Sequence, residues 1–264
     1  MTTDLVSLDR HVWSCAEKAV LARAATRAPH CGLGCPWTLE VREDRVELYE
    51  QFDGSAWHNN TGSRERVIAC GAALANLTSA IRVLGWEAGE SLFIDPLRPD
   101  LVARITARTR RRTTRTDVVR YSAIFRQRRH RHAVDPGLLP AGVLHDILAA
   151  GCGPGIRAHP LHGNPPVGRR TVGEPCFLVV TETSGRRELL LAGSAMQQMS
   201  LVATENGLSC SVLTRPLQSP ELRNRLLRHL GLTGVPQLML CVGYPLTTSL
   251  PTPRRVIGES EELR

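Results

Sequence analysis

The chain has 264 residues, 42% of them hydrophobic, and a net charge of +8 in which Arg greatly outnumbers Lys; this is enough apolar material for a sizeable core in one or two domains. Aromatic residues make up only 4%, so Ala, Leu and Val must build that core, and no apolar run of about 20 residues argues for a membrane span. The start, Met1-Thr-Thr-Asp-Leu-Val, lacks the basic and apolar regions of a signal peptide, and eight scattered cysteines show no disulfide spacing, so a reduced, cytoplasmic protein is expected.

His11 to Thr26 reads as an amphipathic helix, with Val12, Cys15, Ala19 and Ala22 on one face, and Pro29 breaks it. Trp37 to Val41 and Val46 to Tyr49 alternate as the strands of a hairpin turned at Glu43-Asp44. Gln51 to Arg64 is a polar loop, and Glu65 to Leu84 a helix of small and apolar residues. Arg98 to Thr116 starts as a helix and runs into a basic, Thr-rich tract, Arg108 to Arg115, expected to be an exposed connection. Asp117 caps a helix through Ile124, and Leu139 to Ala150 is a further helix ended by Gly151 to Gly155. Arg157 to Gly173 reads as a loop, and Pro175 to Thr181 as an apolar strand. Ala192 to Asn206 is a second small-residue helix, closed at Gly207 as a C-terminal glycine closes a helix. Ser219 caps a third, with Pro220 in its first position and Glu221 at the positive end of its dipole. That helix stops at Gly231, and Pro236 to Gly243 is a buried strand.

Part of this pattern occurs twice. Gly71-Ala-Ala-Leu-Ala-Asn-Leu, with Gly85 beyond it, matches Gly193-Ser-Ala-Met-Gln-Gln-Met, with Gly207 beyond it. Each helix is followed by a strand-like run ending in Pro-Leu, Ser91 to Leu97 and Ser211 to Leu217. Similarity at a long offset suggests duplicated half-domains. The alternative is two unrelated Ala-rich core helices.

With these features the chain resembles the Acg-like branch of the nitroreductase-fold flavoproteins. The likeness rests on the helix-Gly-Leu-strand pattern, the strand end Val242-Gly-Tyr-Pro245, the run Ala123-Ile-Phe-Arg-Gln-Arg-Arg-His-Arg131 and the later Pro251-Thr-Pro-Arg-Arg255. The resemblance implies an α+β fold of two related half-domains, residues 1–116 and 117–264, forming within one chain what is elsewhere a dimer. Mostly antiparallel sheets flanked by helices are expected in each half.

The cofactor the resemblance implies is FMN. Its phosphate would be held by Arg126, Arg128, Arg129 and Arg131, with Arg254 and Arg255 from the tail; two or three guanidiniums suit the charge of a phosphate. The plain alternative is a solvated basic face. Gly207, Leu208 and Ser209 correspond to the turn whose backbone lies along the flavin ring; the plain alternative is a helix end. The family favours a Pro-Ser-x-His-Asn-x-Gln-Pro-Trp segment. Here Pro29, Pro36 and Trp37 remain, while His30, Gly32, Leu33 and Cys35 hold the polar places. The loop Gly155 to Gly173 is also much shorter than in that branch, so a partner protein or a second copy of the chain is a candidate cover for the flavin.

The activity implied is hydride transfer from a nicotinamide donor, through the flavin, to a nitro, quinone or other small acceptor, with no side chain named as catalytic. An FMN-binding protein without turnover is the alternative. Nucleic-acid binding through the basic stretch is the weaker third reading, since aromatics for base stacking are few. His30, Cys31 and Cys35 lie close together, but no second ligand pair accompanies them, so no metal is expected.

Overall fold

The structure is a computed structural model that describes residues 11–30, 35–51, 60–127, 135, 137–161 and 175–245. Six helices and eight strands are described in it. Helix α1 (Cys15–Ala25) starts later than its apolar spacing suggests, because Ser14 and Glu17 form a reciprocal capping box. Strands β1 (Trp37–Val41) and β2 (Arg45–Glu50) form the expected hairpin. Helix α2 (Asn60–Val83) begins inside the stretch read as a polar loop. Gly85, with φ of +86°, then turns the chain directly into β3 (Trp86–Leu92).

The basic tract departs most from expectation. Leu101 to Arg110 is strand β4, which lies between β2 and β3. Its apolar residues Ala103 and Ile105 face the core, and its alternate residues Arg104, Thr106 and Arg108 take the other face. Arg104 stands opposite Glu47 in the register, so part of the charge run is neutralised across the sheet.

Helix α3 (Arg115–Arg126) has Thr114 as its cap, with Asp117 returning the bond, and α4 is Ala141–Ala150. The predicted loop after α4 instead opens with strand β5 (Ile156–Leu161), and β6 (Cys176–Thr181) follows as expected. Helix α5 (Arg186–Glu205) begins six residues before the predicted start, since Arg186-Arg-Glu-Leu-Leu-Leu are good helix formers. Strand β7 (Ser209–Leu213), a 3-10 turn (Arg215–Gln218), α6 (Pro220–Leu230) and β8 (Val235–Gly243) complete the described chain. Ser219, Pro220 and Gly231 delimit α6 as predicted, with Gly231 at φ of +63°.

The strands make two antiparallel four-stranded sheets with the same order, β1-β2-β4-β3 and β5-β6-β8-β7. In each, a long helix (α2 or α5) joins the second strand to the third, and a shorter one (α1 or α4) packs against it. The two long helices pack on each other more extensively than any other pair of elements, and α3 lies against both.

At the crossing, a Cβ on Gly71 would fall on the Leu190 carbonyl oxygen and 2.7 Å from the Ser194 nitrogen. A Cβ on Gly193 would fall on the Ile68 carbonyl oxygen. The matched glycines of the sequence repeat are thus where each backbone admits the other. The span Ser63–Val83 of α2 is long and apolar enough to cross a membrane, but it is a core helix, with most of that span buried inside the fold.

Candidate functional site

The arginine run begins at the end of α3. Arg126 is the last residue of that helix and is exposed. Arg128, Arg129 and Arg131 lie outside the described residues, as do Arg254 and Arg255. The residues on either side of the run are well placed. Gln127 closes α3, and its side chain exchanges hydrogen bonds with Gln197 of α5: Gln197 Nε2 donates to Gln127 Oε1 at 2.9 Å, and Gln127 Nε2 to Gln197 Oε1 at 3.4 Å. Gln197 Nε2 also donates to Asn76 Oδ1 at 2.8 Å, and Asn76 Nδ2 donates to the Ala24 carbonyl at 3.0 Å. Asn76 and Gln197 are fully buried. This amide chain ties α1, α2, α5 and the end of α3 together where an unpaired polar group would be costly.

Beyond the run, Asp135 forms a two-way backbone bridge with Tyr244, at 3.0 and 2.8 Å. Tyr244 follows Gly243 at the end of β8, and Gly243 is paired with Ser209 of β7. Gln127 is therefore held against the middle of α5, and Asp135 at the strand end beside Ser209.

The turn at Gly207 to Ser209 closes α5. Gly207 is exposed with φ of +74°, and a side chain there would meet open space. Its N–H donates to the Thr204 carbonyl at 3.1 Å, and the Leu208 N–H to the Ala203 carbonyl at 2.9 Å. These two donors are spent on the helix end. Leu208 and Ser209 are buried. The fold thus brings the turn and Asp135, beyond the arginine run, to one end of the second sheet. At the start of β1, Trp37 is in the core, with the His30 ring edge-on at 5.7 Å. Among the described residues no cluster of His, Cys, Asp or Glu suits a metal ion.

Two charged clusters escaped the sequence reading. Glu50, at the end of β2, is fully enclosed and accepts from Arg66 Nε of α2 at 3.0 Å and from Arg186 of α5 at 2.6 Å. It thereby pins the second long helix to the first sheet. Glu47, 1% exposed, faces Arg42, Arg45 and Arg104 and accepts from the Tyr49 hydroxyl at 3.0 Å. Burial alone would raise its pKa, but the hydrogen bonds from Arg104 and Tyr49 outweigh it and hold the carboxyl at about 2. The only advance sign of either cluster was an acidic residue inside a strand-like pattern.

No protein-family model matches the chain. Two curated Mycobacterium tuberculosis proteins, "Putative NAD(P)H nitroreductase Rv3131" of strain H37Rv and its counterpart MT3217 of strain CDC 1551, are each 27% identical to it over 305 aligned positions. The alignments take in 90% of this chain and 89% of each relative, and they are longer than the 264 residues here, so part of each relative stands opposite gaps. Among solved structures, a nitroreductase with bound FMN from Bacteroides fragilis NCTC 9343 shares 18% identity, with 55% of this chain and 97% of that one covered and a TM-score of 0.43. The NfrA1 nitroreductase of B. subtilis shares 16% identity, with 51% and 70% covered and a TM-score of 0.42.

Proposed function

We propose that the protein is an FMN-dependent oxidoreductase of nitroreductase type, built as a pseudo-dimer of halves 1–116 and 117–264. The observation that carries this reading is the alignment along nine-tenths of the chain to relatives that bear the name NAD(P)H nitroreductase. The geometry agrees with it. The described ends of the arginine run, Gln127 and Asp135, are held by hydrogen bonds, and the second lies beside the strand end that carries Ser209. Arg126, Arg128, Arg129 and Arg131, joined by Arg254 and Arg255, would bind the phosphate. Gly207 to Ser209 would pass along the ring, with the open space at Gly207 leaving room for close approach. When bound, FMN supplies the two-electron chemistry between a nicotinamide donor and a nitro, quinone or other small acceptor. The chain's own part is to bind, orient and exclude water, so no acid or base is assigned.

One specific feature favours a second reading, flavin binding without turnover. His30, Gly32, Leu33 and Cys35 replace polar residues of the family's flavin-contacting segment, and the Gly207 and Leu208 amides are engaged by the helix end. An absorption spectrum of the purified protein, with mass analysis of whatever heat releases, tests both. Released FMN and oxidation of added NADPH or NADH are expected. FMN that stays oxidised under excess donor selects the second reading, and failure to take up added FMN defeats both.

A further inference from the structure

The ends of α1 and α3 form a basic concavity whose residues the flavin reading does not assign. It is a shallow, open depression of about 270 Å³ lined by Arg23, Thr26, Arg27 and Phe125. The Arg23 guanidinium lies 5.2 Å from the centre of the Phe125 ring, and that of Arg27 lies 5.7 Å from it.

Among the described residues no carboxylate faces either guanidinium. Two cations gathered over one ring repel each other, and the ring's quadrupole attracts each without neutralising either. The C-terminal end of α1, where Arg23 sits in the last turn, supplies about half a negative charge. Two guanidiniums less that half leave roughly one and a half positive charges, close to the magnitude on a phosphate monoester near neutral pH. Planar, multiply donating guanidiniums suit phosphoryl oxygens. The tertiary frame beneath is firm: the Ala24 carbonyl, between the two arginines, is held by buried Asn76, and Phe125 is braced edge-on by Tyr121 at 5.2 Å.

We propose that Arg23 and Arg27, arrayed over Phe125, form a binding site for a phosphoryl dianion, either free phosphate or the phosphate of a nucleotide. The proposal uses none of the residues that the flavin reading assigns and stands whether or not that reading holds.

Calorimetric titrations of the full chain with inorganic phosphate and with adenosine monophosphate test it. The wild type is compared with an Arg23→Gln/Arg27→Gln variant and with Arg225→Gln/Arg228→Gln. The latter pair is exposed on α6 and removes the same charge. At least a tenfold loss of affinity is expected in the first variant only. Tighter binding of the nucleotide than of phosphate identifies a nucleotide ligand, and equal binding identifies free phosphate. Wild-type protein that binds neither probe at millimolar concentration overturns the proposal, and so does an equal loss in the control pair. Arg27→Gln alone, beyond the helix end, gives the same test with the helix untouched and should show a smaller loss of the same kind. If binding to the wild type persists unchanged in it, the assignment fails.

Discussion

Substituting Gly193 by Ala sets two effects of opposite sign against each other. Helix propensity alone favours Ala by about 1 kcal/mol. At the crossing, however, the added Cβ would fall on the Ile68 carbonyl oxygen and 2.9 Å from the Ile68 Cα, whereas real Cβ contacts stay beyond 3.0 Å. The obstacle is helix backbone, which cannot turn aside as a side chain can. Overpacking of this kind costs about 3 kcal/mol or more, so the net loss is about 2 kcal/mol, or roughly a 4–8 °C fall in Tm. Gly71→Ala should behave alike, because its Cβ would meet the Leu190 carbonyl. The two losses should not add: helices parted for one methyl have already made room for the other. Gly142 of α4, exposed and with nothing near its would-be Cβ, is the control, and Ala there should stabilise or be neutral. Thermal unfolding followed by circular dichroism of the four variants decides the matter. A Tm that rises in Gly193→Ala as it does in Gly142→Ala would refute the reasoning, since propensity would then outweigh the crossing.

Glu47, held at about 2 against an ordinary carboxyl near 4.5, contributes stability that is present above the unfolded pKa and lost as pH falls from about 4.5 through about 2. The lost stabilisation is about 3 kcal/mol. Glu47→Gln should be less stable than wild type at pH 7 and should narrow that gap toward pH 2, as urea unfolding at several pH values would show; a constant gap would count against the assignment. Glu50→Ala removes the enclosed anion shared by Arg66 and Arg186 and should cost about 2–4 kcal/mol in denaturant unfolding. Arg66→Ala should cost more than Arg186→Ala, because its side chain is 17% exposed against 37%, and the reverse order would show that the clamp is read wrongly. If FMN binds as proposed, Arg131→Gln should weaken it about tenfold or more through loss of a charge-assisted hydrogen bond, while riboflavin affinity stays the same. Equal weakening of both ligands would place Arg131 away from the phosphate.

Features legible in the sequence are those whose cause is local. Gly207 and Gly231 end helices, Ser219 and Pro220 start one, and the apolar runs of β6 and β8 are strands buried on both faces. The matched Gly71 and Gly193 segments were legible as a repeat, and the crossing of the two helices needs both glycines. Strand β4 was hidden because its outward positions carry Arg104, Thr106 and Arg108, which read as a solvated tract until the sheet sets Arg104 opposite Glu47. That partner is 57 residues away, and the Glu50 to Arg186 bond spans 136, so neither leaves a pattern in any window. For the site, the turn at Gly207 was legible as a helix end. Its spent amides were not, because they depend on how the last turn closes.

The two sheets share a strand order but are not covered in the same way. Outside the second sheet, Leu178, Val180, Met239 and Cys241 pack with Leu217 and Leu226 of the 3-10 turn and α6. The first sheet has a short connection between β3 and β4 in place of that insertion. Its outer face instead carries Glu47 among arginines, so it needs no covering helix. On their inner sides the two sheets are joined: helix α2 finds its largest contact on α5, and Glu50 of the first sheet holds Arg186 of α5. Helix α3 leans on both long helices and is capped by Thr114. The two sheets therefore repeat a strand order without being independent units of stability. Dividing the chain between residues 116 and 117, where the proposed halves meet, would separate Thr114 from α3 and uncover the glycine faces of α2 and α5 together.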